Sequence, residues 1–332
     1  MESASVSENL DKLRSRSIDL VKKKLLITKL SGSEQEKDLT LPPNCGGYGR
    51  IRHFRRLNQG WIDNPLPIDP ACRALSLSRE DLVLAQVFQN AVCPWRCWYC
   101  FVPYNLLVGD PLLSEWKTAD ELIDLYLSEK NRPLVIDLSG GSPDLIPEWP
   151  LWMMESIKRR GMADSIYLWS DDNLSNFLFF SELTSKERNA VSSYKNYGRV
   201  CCLKGYSKES FAFNTRTQDE LFNTQFQILH RLIHETEIDL YGYVTFTTNC
   251  IENIEIEMKN FVDRLQSIST NFPLRIIPLQ ISEFSVINSR MDSSKQKSLE
   301  LQRSVLDAWQ KEIEKRFDKS MTIKNVEDVA IR

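Results

Sequence analysis

The sequence predicts an α/β fold organised as a partial (β/α)6 barrel, and three observations lead to that prediction. From about residue 83 onward, short apolar segments rich in Val, Ile and aromatic residues alternate with segments of helical period. Six such apolar segments occur, as expected of parallel strands that are buried on both faces. The chain has 332 residues, a length that suits one TIM-like barrel domain with additions.

The predicted strands and helices alternate along the chain. The six strands are expected at 83–88, 134–138, 165–169, 199–203, 240–246 and 274–279. The helices between them are expected at 118–130, 151–160, 182–195, 217–235 and 252–269. A highly charged last helix over 294–317 is expected to pack outside the barrel.

Two further segments precede the alternating region. Residues 6–30 predict a charged amphipathic helix, because their apolar residues recur at helical spacing. Residues 41–82 are rich in Gly, Pro and Arg and predict an irregular lead-in. The expected divisions are an N-terminal helix and linker at 1–40, the lead-in at 41–82, the barrel core at 83–284 and a C-terminal helical extension at 285–332.

A basic run lies within the lead-in and permits two interpretations. Its members are Arg50, Arg52, His53, Arg55 and Arg56. They could clamp an anion or a substrate, or they could form a solvated basic face paired with acidic neighbours. We favour the solvated face, because that is what most charge runs form.

Composition and charge exclude several classes of protein. The net charge is −3, which gives no signal for binding nucleic acid or an anionic membrane. We expect no membrane span and no export signal, because no window is long and apolar enough and the start of the chain is polar. A cytoplasmic protein with free thiols is therefore expected.

Three of the eight cysteines lie in one short segment with a C-x3-C-x2-C spacing. Cys93, Cys97 and Cys100 can converge on a single inorganic centre, because they belong to one loop. A structural zinc site has four protein ligands, and an electron-transfer iron–sulfur cluster takes four cysteines. A centre with only three ligands keeps a position open for another molecule, so this spacing predicts chemistry.

This loop, with the aromatic Tyr99 directly before its last cysteine, resembles the cluster-binding loop of the radical S-adenosylmethionine (radical SAM) superfamily. The resemblance implies a [4Fe–4S] cluster on the three cysteines, with S-adenosylmethionine on the open iron and bordered by Tyr99. It implies reductive cleavage to a 5′-deoxyadenosyl radical that abstracts hydrogen from a substrate, which the sequence does not identify. A flavodoxin- or ferredoxin-like electron donor is also implied.

Residues at the predicted strand ends match the same superfamily in part. Gly140 and Gly141 stand where the family has a Gly-Gly-Glu-Pro-like turn that holds the methionine ammonium, with Ser142 in place of the glutamate. Lys204 stands where glycyl-radical-enzyme activating enzymes have a lysine that contacts the methionine carboxylate. Cys202 replaces the aspartate that precedes that lysine in those enzymes.

Two more strand ends complete the set of expected cofactor contacts. Asp171 is expected to receive an ammonium or ribose hydroxyls, while Asp172 or Asn173 caps the next helix. Gln280 stands where activating enzymes commonly have a histidine, and its amide can still bind ribose or adenine. The chain is thus most similar to the activating enzymes but departs from them at positions 142, 202 and 280.

Other interpretations of the cysteine loop stay open. The chain could be an activating enzyme that acts on a partner protein. It could also be a non-enzymatic iron–sulfur sensor or electron carrier, or a binding module stapled by zinc. A fourth ligand such as Cys45 would favour the sensor.

Overall fold

The computed structural model describes residues 6–57 and 60–332, and it has the predicted alternation of strands and helices from residue 82 onward. The strands are β1 (Ile18–Asp19), β2 (Lys24–Thr28), β3 (Gly49–Arg55), β4 (Leu82–Phe88), β5 (Ser114–Thr118), β6 (Val135–Leu138), β7 (Tyr167–Asp172), β8 (Tyr197–Leu203), β9 (Asp239–Thr245) and β10 (Ile276–Leu279). The helices are α1 (Val6–Ser15), α2 (Ile68–Ala74), α3 (Ala119–Ser128), α4 (Glu148–Arg159), α5 (Leu178–Ser181), α6 (Ser185–Ser192), α7 (Lys208–Thr215), α8 (Leu221–Glu235), α9 (Ile254–Ile268), α10 (Ser293–Arg316) and α11 (Lys319–Thr322).

Seven of these strands form one curled, half-barrel sheet in the order β10-β9-β8-β7-β6-β4-β3. The six strands from β4 to β10 in this sheet are the six that the sequence predicts, and they pair in parallel. The prediction of an α/β fold is confirmed. A separate three-stranded sheet has the order β1-β2-β5 and is antiparallel.

The single helix predicted over residues 6–30 is wrong. Helix α1 ends at Ser15, and the chain continues into the β1–β2 hairpin. Strand β2 then pairs with β5, which the sequence reading missed. The apolar run of β2 has all of Leu25, Leu26 and Ile27 buried, which suits a strand with both faces covered as well as a helix.

The lead-in over residues 41–82 is more regular than predicted. It contains helix α2 and strand β3, which pairs antiparallel with β4 from Gly49 opposite Phe88 to Arg55 opposite Leu82. The alternation in β3 was hard to recognise, because arginines occupy positions where a buried strand ordinarily has apolar residues. Strand β3 forms one edge of the large sheet and β10 forms the other.

The two faces of the curled sheet bury two separate sets of side chains. The interior set contains Ala85, Val135, Tyr167, Trp169, Val200, Tyr241 and Tyr243. The outer set, under the helices, contains Ile136, Leu138, Leu168, Leu203, Leu240 and Val244. Since successive side chains of a strand point to opposite faces, these sets tell which face each polar residue of a strand occupies.

Among the helices of the described residues, none is both long enough and apolar enough to cross a membrane.

Candidate functional site

The cysteine loop leaves the carboxyl end of β4, as the barrel reading predicts. An isolated bridge between Val92 and Val108 closes the base of the loop, and the Gly109 N–H donates to the Ala91 carbonyl over 2.9 Å. Strand β4 lies between β3 and β6 in the large sheet. The loop therefore begins inside the sheet and not at its edge.

Neighbouring elements hold the loop in place. The indole N–H of Trp98 donates to Asn214 Oδ1 over 3.3 Å, and the backbone N–H of Trp98 donates to the Asn214 carbonyl over 3.2 Å. Tyr104 donates to the Cys97 carbonyl over 3.0 Å, and Arg290 donates to the Cys100 carbonyl over 2.6 Å. The loop is thus anchored to helix α7 and to the segment before α10 through groups other than the thiols.

The three thiols of the loop lie close to one another. Cys93 and Cys97 are buried and Cys100 is half-buried. Burial raises the pKa of all three thiols, to about 11 for Cys97; Cys97 and Cys100 further raise the pKa of Cys93, and Cys100 raises that of Cys97. The backbone N–H groups of Trp95 and Val102 act in the opposite direction, because their hydrogen bonds lower the pKa of Cys93 and Cys100.

The thiols are not arranged around a single ion. In the part of the chain that the structure describes, no three His, Cys, Asp or Glu side chains are placed so that they could hold a metal ion. Among the described residues, no hydrogen bond or electrostatic interaction links Cys45 to the triad. Its backbone N–H donates to Glu129 Oε1 over 2.7 Å, and its thiol has a raised pKa because of burial and that glutamate.

Lys204 follows β8 on the interior face of the sheet and faces the cysteine loop. Burial lowers the pKa of its ammonium, but Cys202, Tyr99 and Cys97 outweigh this effect and raise the pKa above its ordinary value. No carboxylate of the described residues lies within ion-pair distance of Lys204. A half-buried cation beside the thiols is therefore free to bind an anion.

Asp171 lies inside β7 and not after it, since it pairs with Val200 of β8 in the sheet. Its side chain points to the interior face, because it lies two residues beyond Trp169 of the interior set. Ser139 donates to Asp171 Oδ2 over 2.6 Å, while Oδ1 is buried and has no hydrogen-bond partner in the described part of the chain. This oxygen can accept a hydrogen bond from a ligand.

Asp172 occupies the outer face, where it has a structural role. Its carboxylate accepts from the Leu174 N–H over 2.7 Å and from Arg199 Nη1 over 3.3 Å. The buried Asp172–Arg199 pair is thus separated from the interior by the sheet itself. Asp172 thus stabilises the turn after β7, but it does not cap the next helix as predicted, because α5 begins only at Leu178.

Tyr99 also lies with this group. Its hydroxyl is 3.1 Å from Thr245 Oγ1 at the end of β9, and its ring meets the Trp98 ring edge-on at 5.6 Å. The structure thus brings the cysteine loop, Tyr99, Lys204 and Asp171 together.

Ser142 differs from the other predicted contacts, because its hydroxyl is already engaged. The side chain is fully buried, donates to Asp144 Oδ1 over 2.5 Å and accepts from Asn173 Nδ2 over 3.1 Å. Asp144 in turn accepts from the backbone N–H and the hydroxyl of Ser175 over 3.0 and 2.6 Å. These groups tie the turn after β6 to the turn after β7. Gln280 directly follows the edge strand β10 and is exposed.

Gly140 and Gly141 shape the turn after β6 against the start of the cysteine loop. Both have positive φ, +90° and +67°. A Cβ on Gly141 would clash with the Asn90 carbonyl oxygen and lie 2.7 Å from that of Val92. The glycine pair therefore lets two strand ends approach each other closely.

The interior contains Asp137, which the sequence did not indicate as a site residue, and two arginines of the basic run in the lead-in. The Arg52 guanidinium donates from Nη1 to Asp137 Oδ2 over 3.1 Å, and Arg50 of the same strand is buried beside them. The solvated basic face is thus wrong for Arg50, which is buried, whereas Arg52 and Arg56 do pair with acidic residues, Asp137 and Asp69. A carboxylate at the third position of the otherwise apolar strand β6 is the signal that could have identified Asp137.

We expect Gly141→Ala to lower the free energy of unfolding by about 3 kcal/mol, because it combines a strained φ with a backbone clash. Gly161→Ala is a matched control. Its φ is +68° and a Cβ there would meet no atom within 4 Å, so only the conformational cost of about 1 kcal/mol is expected. Denaturant unfolding of both variants measures the difference, and equal losses would contradict the packing role of Gly141.

Comparison with known proteins adds no relative to this picture. No protein-family model matches the chain, and no curated protein matches it.

Proposed function

We propose that this chain is a radical SAM enzyme, with the half-barrel as a TIM-like (β/α)6 core of the radical SAM type. The observation that carries the proposal is the position of the C-x3-C-x2-C loop. It follows the first parallel strand, and Lys204 and Asp171 of the interior face lie near it. Catalytic groups of parallel barrels lie at the carboxyl ends of the strands, where this loop begins.

The chemistry of the loop suits an iron–sulfur cluster. Cysteine thiolates are the ligands that such clusters take. Binding requires loss of the thiol protons, and the Trp95 and Val102 N–H groups, together with nearby Lys204 and Arg96, favour the thiolates. A cluster of several irons spreads its ligands farther apart than one ion does, so neighbouring thiols that do not surround a single ion are compatible with it.

When bound, the [4Fe–4S] cluster with S-adenosylmethionine supplies a 5′-deoxyadenosyl radical that takes a hydrogen atom from the substrate. The protein's own residues bind and orient. Lys204 holds the methionine carboxylate, because it is a cation without a carboxylate partner among the described side chains. Asp171 uses its unpaired Oδ1 to accept from an ammonium or a ribose hydroxyl. The buried rings of Trp95 and Trp98 exclude water from the loop.

The proposed reaction also requires an electron donor. A flavodoxin- or ferredoxin-like protein supplies the single electron that the reaction consumes. A reducing compartment such as the cytoplasm suits both the donor and an oxygen-sensitive cluster.

We expect the chain, reconstituted anaerobically with iron and sulfide, to form 5′-deoxyadenosine from S-adenosylmethionine and dithionite. Cys97→Ala should lose this product together with most of the bound iron, because one of three cluster ligands is removed. Cys250→Ala is the control, since Cys250 is an exposed cysteine outside the loop, and it should behave as wild type. Product is measured by chromatography and iron by metal analysis.

Two results would overturn the proposal. One is the absence of 5′-deoxyadenosine from the wild-type chain loaded with iron and sulfide. The other is one zinc and no iron per chain after purification without added metal, which would favour a zinc-stapled binding module.

We expect Lys204→Met to raise the dissociation constant of S-adenosylmethionine by about 10- to 100-fold, the range for loss of a hydrogen bond to a charged group. Iron content should stay unchanged, because Lys204 is not a cluster ligand. Lys208→Met serves as the control. Lys208 is the first residue of α7, and its side chain is 43% exposed and pairs with Asp219. Equilibrium dialysis with labelled S-adenosylmethionine measures the affinity, and wild-type affinity in Lys204→Met would remove this residue from the site.

A further inference from the structure

Arg50 is a buried cation without a hydrogen-bond or ion-pair partner among the described side chains. Its residue exposure is only 5%, and its Nε and Nη2 atoms are buried with no hydrogen-bond partner in the described part of the chain. No carboxylate of that part lies within 4.0 Å of its guanidinium nitrogens. Buried arginines are ordinarily paired, because removing a charge from water is costly. An unpaired guanidinium in this position therefore points to a ligand.

The side chain of Arg50 lies on the interior face of the sheet. Phe54, four residues further along β3, belongs to the interior set, and side chains an even number of residues apart share a face. The Arg50 guanidinium carbon lies 4.9 Å from the centre of the Phe101 ring. Phe101 directly follows Cys100. Arg50 thus borders the cysteine loop.

Together, Arg50 and the other charged groups of the interior carry a net positive charge, which favours an anion. Arg52 is bound to Asp137, and Asp171 is bound to Ser139. Both carboxylates affect the pKa of Arg50, but neither forms an ion pair with it. Arg50, Arg52 and Lys204 are three cations of the interior, and Asp137 and Asp171 are two carboxylates. This set therefore has a surplus of positive charge. Burial is the largest cause that lowers the pKa of Arg50 to about 10, and repulsion from Arg52 is the second. A bound anion would oppose both effects, because it stabilises the charged guanidinium.

We propose that Arg50 binds an oxyanion of the substrate, a carboxylate or a phosphate, beside the cysteine loop. This inference rests on the proposed function and deepens it, because it gives the unidentified substrate a chemical class. Arginine suits the task, since its planar guanidinium donates two parallel hydrogen bonds to a carboxylate or phosphate. Lys204 is already assigned to the methionine carboxylate, so Arg50 is available for a second anion.

The test is equilibrium dialysis of the full-length chain against labelled inorganic phosphate and, separately, labelled succinate, with the cluster reconstituted and S-adenosylmethionine present. Arg50→Met should weaken binding of the preferred probe at least tenfold, while Arg50→Lys keeps part of it. Arg55→Met is the matched control, because Arg55 is on the same strand, points to the other face and is exposed. It removes the same charge and should change binding less than twofold. Preference for phosphate or succinate identifies the class of oxyanion.

Thermal unfolding shows whether the variants are folded. Arg50→Met should melt at or above the wild-type temperature, since it removes a buried charge that has no partner. A clearly lower melting temperature would mean that Arg50 has a structural role, and it would overturn the inference.

The binding results also separate this inference from the proposed function. The anion site alone would be overturned if Arg50→Met bound each probe as well as the wild-type chain does, while 5′-deoxyadenosine formed normally. Arg50-dependent binding without any 5′-deoxyadenosine would overturn the proposed function and keep the anion site. Loss of S-adenosylmethionine affinity in Arg50→Met, with the probes bound as before, would show that Arg50 serves the cofactor and would overturn a substrate role.

Discussion

The rest of the structure depends on the burial of the parallel strands on both faces. Because side chains alternate along each strand, neighbouring residues are sent to separate environments. Asp171 thus faces the interior with Trp169, while Asp172 faces the helices and pairs there with Arg199. Two adjacent carboxylates therefore have unrelated tasks. The same alternation places Cys202 and Lys204 of the next strand end on the interior face.

Strand β3 changes the chemistry of this interior. It is the one antiparallel strand of the large sheet, and it lies beside β4, from which the cysteine loop departs. Without β3 the interior polar groups would be mainly acidic, from Asp137 and Asp171. With it, two guanidinium groups enter the interior, where Arg50 is buried and charges interact more strongly than at the surface. The segment before the barrel is thus part of the candidate site.

The parts of the fold that could be predicted are those decided by local pattern. The six parallel strands have short apolar runs that alternate with segments of helical period, and they occur where predicted. The helix predicted over residues 18–28 was wrong, because an apolar run of five residues fits a helix and a covered strand equally well. Only the pairing with β5 decides between them. The interior position of Arg50 and Arg52 was not predicted, because it depends on the pairing of β3 with β4, a strand that lies far away in the sequence. The hydrogen bonds of the Ser142 hydroxyl to Asp144 and Asn173 could not be predicted for a related reason, since Asn173 follows a different strand.

Among the described residues, Lys204 and Arg50 are interior cations without a carboxylate partner, and they approach the cysteine loop from different strands. Lys204 extends from the end of β8 and affects the thiol of Cys97, whereas Arg50 extends from β3 and lies over Phe101, just beyond Cys100. Three strands, β4, β6 and β7, separate β3 from β8 in the sheet. Two anions held at these cations would therefore be distinct molecules or distinct groups beside the same short loop. Under the proposed function, a radical formed at the loop would react only with a molecule held within contact distance, because proximity and orientation govern such a step. A second anion-binding position beside the loop would meet that requirement for a charged substrate.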